Sequence, residues 1–218
     1  MHRYLIKDFP SVNFQITLGD NGEELKVFYP SLFNTQNAYL KSQILIEFGG
    51  RNTAEPSNLH EIKTLLSRVV TDLYLPTDKV QVLSHLKTFW EKATLIHVEC
   101  NRNRVINSPE RLSRHWYDLA MLASSWVGVD ALRTQDLFEN VIQHKKIFFN
   151  ASYANYDACL SGGFKLIPDE NGIKGLKSDF AKMQEAGMFQ KKESISFDEI
   201  IEILKQLEQN INKSRVKI

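Results

Sequence analysis

The chain has 218 residues, 43% of them hydrophobic and 24% charged, a composition that excludes a disordered, collagenous or coiled-coil protein. Lys and Arg number 27 against 26 Asp and Glu, so no global field holds the chain on nucleic acid or an anionic membrane, and any such contact must be local. Cys100 and Cys159 form no C-x-x-C pair, which argues against a zinc ribbon or disulfide framework and fits buried thiols in a reducing cytosol.

Up to about residue 85 the apolar residues come in short extended runs broken by turn chemistry, as strands do. Asn13 to Leu18, the turn Gly19 to Gly22, and Glu23 to Pro30 read as a hairpin. Ser42 to Phe48 is the strongest strand, stopped by Gly49 and Gly50. His60 to Leu75 is ambiguous: Ile62, Leu65, Leu66 and Val69 fit a helix, Val69, Val70 and Leu73 a strand, and the helix is preferred. Val80 to Ser84 is another strand.

After Ser84 the period becomes helical. Phe89, Ala93, Ile96 and Cys100 form one packed stripe. Ser108 and Pro109 suit the start of a helix running to about Ser125, with Leu112, Trp116, Leu119 and Ala123 as its stripe. Further helices are expected from Leu132 to Phe148, Leu176 to Gln184 and Ser196 to Ile211, the last opened by a capping box of Ser196 and Glu199. The segment 151–172 is loop-rich, and the terminal KSRVKI reads as a solvated tail. No run approaches the ~18 apolar residues of a membrane span, and the start lacks a signal-peptide core, so a cytoplasmic location is expected. The fold class is α+β, in two coupled units: a sheet region over 1–85 and a helical region over 86–218.

Three places carry chemistry. Glu47 lies between Ile46 and Phe48, so its carboxylate faces away from its neighbours; it is either a surface charge or a carboxylate at the edge of a metal or phosphate site. Lys92 borders the stripe of its helix and either reaches water or pairs with a phosphate in a cleft. His97, on the same helix, reads as structural rather than as a ligand. In RLSRHWYDL, Arg111, Arg114, His115 and Asp118 share helix spacings. They form either an intrahelical ion pair or a half-buried acid that needs a cation, which a lysine on the preceding helix would supply. Arg102, Arg104, Arg111 and Arg114 gather positive charge around the connection, which suits an NTP or RNA phosphate. No Walker A, G-x-G-x-x-G, H-E-x-x-H or G-x-S-x-G motif is present.

Taken together and in order, ILIEFGGRN followed by Glu55-Pro56, KTFWEKATLIHVE, SRHWYDLAML, LKSDFAKMQEAGMF and SFDEIIEILKQLEQNIN resemble the AbiEii/AbiGii-type nucleotidyltransferase toxins. The resemblance spans nearly the whole chain. It implies a polymerase β-like nucleotidyltransferase sheet followed by a mainly helical C-terminal region, acting as the toxin of a toxin–antitoxin or abortive-infection system. It further implies Mg²⁺ and a nucleoside triphosphate, GTP or CTP, an RNA (tRNA) or protein acceptor, and a winged-helix antitoxin. Carried over residue by residue, Lys92 matches the lysine that contacts phosphate and Asp118 the aspartate that pairs with it or acts in the site. Glu47 matches the later acidic position of the nucleotidyltransferase core, where it would serve the metal, while Arg111 and Arg114, read from their local charge and not from a family motif, are expected on the nucleotide.

One departure stands out. The family's Gly-Ser pair and downstream Asp-x-Asp, expected ahead of Glu47, are absent from this sequence. Those aspartates hold the divalent ions of two-metal transfer, so the chain is expected to be inactive alone, either as the C-terminal portion of a split or truncated enzyme or as a degenerate member that folds and binds without catalysing. It is expected to associate through an uncovered strand edge with a complementing chain or its own copy. The alternative, from another class, is a non-catalytic interaction protein that contacts an antitoxin or RNA. A hydrolase using Asp118 and His115 is a third reading, for which no nucleophile is visible.

Overall fold

The structure is a computed structural model that describes residues 7, 13–20, 22–31, 39, 41–51, 53, 55–102, 110–189 and 195–215. Among these the chain forms five strands and then seven α-helices, the α+β order read from the sequence. It divides into two compact units: Met1–Thr53 with Lys182–Met188, and Ala54–Ala181 with Phe189–Ile218.

In the first unit, β1 (Gln15–Leu18), β2 (Glu24–Phe28) and β3 (Gln43–Glu47) make an antiparallel sheet in that order. The turn between β1 and β2 closes with the Gly19 N–H donating to the Glu24 carbonyl at 2.8 Å, and Gly22 adopts φ 70, a left-handed conformation that costs glycine nothing. The register pairs Ile16 with Val27, Leu18 with Leu25, and Val27 with Ile44, so the apolar residues share one face. Glu24, Lys26 and Glu47 fall on the opposite face.

In the second unit, β4 (Ser57–Lys63) and β5 (Thr77–Leu83) pair antiparallel along their full length. The segment 60–75 is therefore not the helix expected. Its first residues belong to β4, and Leu65–Arg68 make a single 3₁₀ turn. A helix there needs a surface on which to bury Ile62, Leu65, Leu66 and Val69; all four are exposed, and the backbone of 57–63 finds its partners across β5 instead.

The core lies among α1 (His85–Asn101), α2 (Ser113–Ala123), α3 (Trp126–Arg133), α4 (Gln135–Phe148), α5 (Tyr156–Leu160), α6 (Glu170–Glu185) and α7 (Phe197–Lys213). Phe89, Trp90, Ala93 and Ile96 of α1 and Trp116 and Leu119 of α2 are buried, as their spacing predicts. The helix expected over 132–148 is α4, which starts three residues later because Thr134 leaves helical geometry (φ −94, ψ 64) and gives Leu132 and Arg133 to a separate helix, α3. α7 opens with the capping box: Ser196 Oγ accepts the Glu199 N–H, and the Glu199 carboxylate accepts the Ser196 N–H at 2.8 Å. The tail is anchored rather than solvated, since Arg215 meets Glu139 at 2.6 Å and lies over the Phe138 ring; 216–218 lie outside the described residues.

Between α5 and α6 the irregular segment 163–169 is fastened by side chains in place of a ladder. The Glu208 carboxylate accepts the Leu166 and Ile167 N–H groups, and the Asn212 amide exchanges two bonds with Phe164. His97 Nδ1 accepts the Lys165 N–H at 2.9 Å, and its Nε2–H donates to the Asn155 carbonyl at 3.2 Å. His97 is thus fully buried and structural, and burial lowers its pKa. Cys159 is buried too, with its thiol pushed up to about 12, first by burial, a chemically quiet state.

Candidate functional site

α1 packs against α2, and the two helices bring together the residues that the sequence singled out on each. Lys92 Nζ donates to Asp118 Oδ2 at 2.7 Å. The cation that Asp118 needs thus comes from the preceding helix and not from Arg114 on its own. With the lysine side chain 25% exposed and the aspartate 41%, the pair sits at the solvent boundary. Such a pair stabilises the fold by ~1 kcal/mol at most, so its ions can exchange partners at little cost. The neighbouring Glu91 turns the other way, to Lys145, and buried Lys87 gives its ammonium to the Glu55 carbonyl at 2.6 Å. Lys92 is therefore the lysine of α1 that faces Asp118.

His115 stands one turn before Asp118 on α2. Its Nδ1 is buried and has no hydrogen-bond partner among the described residues. Its pKa is pushed down to about 4, chiefly by burial, then by the charges of Lys92 and Arg114, with Asp118 opposing. It is neutral at physiological pH. The unfolded chain binds this proton near pH 6.5 and the folded one only near 4, so folding stability falls as pH drops through that window and is complete above it. Urea midpoints of wild type and His115→Gln between pH 7 and 4.5 are expected to converge as pH falls; parallel curves exclude the histidine as their source.

Arg114 is exposed at the start of α2, and Arg111 precedes it with a left-handed backbone, φ 58. Arg114 lies one turn before Asp118 on α2 and acts, with Lys92, on His115, whereas Arg111 precedes the helix. Arg102 is committed elsewhere, to Glu99 and to the Tyr153 hydroxyl, each at 3.0 Å. Arg104, Ser108 and Pro109 lie outside the described residues, and the helix begins at Ser113, not at Pro109. The reason is Asp179, a residue that the sequence reading passed over. Its carboxylate receives the N–H groups of Arg111 and Ser113 and so caps α2. The signal was an acid in the apolar stripe of α6 formed by Leu176, Phe180 and Met183.

Glu47 belongs to the first unit and is exposed at the end of β3. Its register partner is Glu24, whose carboxylate is drawn to Lys26 at 3.2 Å. Among the described residues no group of three or more His, Cys, Asp or Glu side chains is gathered to hold a metal ion. The described residues therefore do not fit a carboxylate-held metal centre. What the Lys92–Asp118 region offers instead is an exchangeable ammonium, a carboxylate able to take a proton and nearby guanidinium groups.

Residues 4–203 match the family model described as nucleotidyl transferase AbiEii toxin, type IV TA system. No curated protein and no solved structure matches the chain. Among the described residues no helix is long and apolar enough to cross a membrane.

Proposed function

Because the chain belongs to the AbiEii nucleotidyl transferase toxin family of type IV toxin–antitoxin systems, we propose that the Lys92–Asp118 pair is its reacting centre. Membership makes the protein a nucleotidyltransferase toxin with an NTP substrate and an antitoxin partner. The observation that carries the reading further is the 2.7 Å contact between the partly exposed side chains of a lysine and an aspartate from two different helices. An arriving triphosphate competes with Asp118 for Lys92 Nζ. When the ammonium passes to a phosphate oxygen, the carboxylate is released for the acceptor.

Asp118 takes the proton of the acceptor hydroxyl, whose oxygen forms a bond to the α-phosphorus. The bond from that phosphorus to the bridging oxygen breaks, and pyrophosphate leaves with the electron pair. Lys92 and the arginines Arg111 and Arg114 offset the charge that develops on the phosphates. Family members use a divalent ion as well, for which the described residues gather no group of three or more His, Cys, Asp or Glu side chains.

The finer reading takes Mg-GTP or Mg-CTP as donor, the 3′ hydroxyl of a tRNA as acceptor, a winged-helix antitoxin as partner and the cytoplasm as location. The anionic donor and the polyanionic acceptor both suit a local basic cluster in a chain with no net field. Calorimetric titration of Mg-GTP and Mg-CTP into the full chain tests the site. Saturable heat with one triphosphate is expected, and no heat with either overturns the reading.

A further inference from the structure

α6 carries an acid where its pattern asks for an apolar side chain, and the acid is only 4% exposed. Asp179 Oδ1 accepts the Arg111 N–H at 2.8 Å; Oδ2 accepts the Ser113 N–H at 2.9 Å and the Ser113 hydroxyl at 2.6 Å. Leu112, at the N-cap of α2, offers no side-chain bond, so the cap comes from 66 residues further along the chain. Arg111, held at φ 58, has a left-handed conformation that is strained for a residue with a side chain, and its bond to Asp179 offsets that cost. The helix N-terminus is thereby filled by an anion of the protein itself. A phosphate arriving at this end meets the exposed Arg114 side chain and not the amides that Asp179 already holds.

We propose that Asp179 is a positioning residue of the triphosphate site. It fixes the Arg111 backbone and the first turn of α2, and through them Arg114. Lys92 and Asp118 meet farther along the helix and are held by their own contact. The proposal rests on the triphosphate reading of this site, and its predicted signature is weakened nucleotide affinity with the Lys92–Asp118 chemistry left in place.

The test is the affinity of the full chain for Mg-GTP and Mg-CTP in Asp179→Ala, Asp179→Asn, Ser113→Ala and the double variant Arg111→Ala/Arg114→Ala. Asp179→Ala is expected to bind ~10- to 100-fold more weakly, the effect of misplacing one or two charge-assisted contacts. Asp179→Asn, which keeps one acceptor oxygen, is expected to fall between it and wild type. In the arginine-less background Asp179→Ala is expected to add nothing, a result that a merely structural role does not give. Wild type that binds neither triphosphate, or binds equally well as Lys92→Ala, overturns the triphosphate reading and this proposal with it. Binding that depends on Lys92 but is unchanged in Asp179→Ala, or falls equally without the arginines, overturns this proposal alone. Should Asp179→Ala fail to fold, Asp179→Asn and Ser113→Ala decide, and wild-type affinity in both, as folded proteins, overturns it.

Discussion

Lys92→Ala and Asp118→Asn are expected to fail in different ways. Removing the ammonium takes away a charge-assisted phosphate contact and leaves the Asp118 carboxylate facing the nucleotide, so triphosphate affinity should drop by ~30-fold or more. Asp118→Asn removes the group that competes for Lys92 Nζ at 2.7 Å, so the same affinity should hold or rise. Nucleotide transfer and toxicity, measured in the form in which wild type shows them, alone or with a complementing chain, should nonetheless be lost in it, since a positioned general base contributes about 10²- to 10⁴-fold. Calorimetry measures the first quantity, and labelled-nucleotide transfer to RNA or growth arrest the second. The exchanged variant Lys92→Asp/Asp118→Lys separates these roles from mere cohesion: it restores opposite charges across the same helix pair, yet should restore neither binding nor transfer. Recovery of both in the exchanged protein would reduce the pair to an ordinary ion pair.

What could be read along the chain was whatever depends on near neighbours. α1 and α7 show their stripes in consecutive turns, and Ser196 with Glu199 spells out the cap of α7 within four residues. Lys92 and Asp118 were legible for a related reason, since each is a charge at the margin of an apolar stripe and one suits the other. The misreadings share the opposite cause. The start of α2 is set by Asp179, far away in sequence, and not by a local serine and proline. His60 to Lys63 became strand because β5 supplied partners that no local pattern announces. Arg215 is tied down by Glu139 and Gln135, on a helix that the sequence places some 80 residues earlier. Glu47 shows the limit for sites: alternation put its carboxylate on the polar face correctly, but only the register reveals that the residue opposite is another acid.

Trp116→Ala is expected to be the most damaging single change to the fold. The indole is fully buried on α2, and its Nε1–H donates to the Leu166 carbonyl at 2.9 Å. Truncation opens a cavity of nearly the whole ring, which costs about 3–5 kcal/mol, and orphans a buried carbonyl, which costs about 1–3 kcal/mol. Against a total stability on the order of 5–15 kcal/mol, that leaves little folded protein at 37 °C. Trp116→Phe separates the two contributions, because the ring volume is largely kept and the N–H is lost. It should cost about 1–3 kcal/mol, read as a shift in urea midpoint. Hydrogen exchange should locate the loss. The Leu166 and Ile167 amides, bonded to Glu208 on α7, should stay protected in Trp116→Phe if α7 alone holds the strap, and should exchange faster if α2 clamps it as well. The second outcome is expected, since Leu166 in this 163–169 segment is gripped from both helices, its N–H by Glu208 of α7 and its carbonyl by Trp116 of α2. A Trp116→Ala protein within 1 kcal/mol of wild type would show that the strap is not docked on α2. The comparison also disciplines the functional tests: a variant that loses α2 loses Asp118 and both arginines with it, so only substitutions that keep the wild-type urea midpoint, as Lys92→Ala should within ~1 kcal/mol, report on the site.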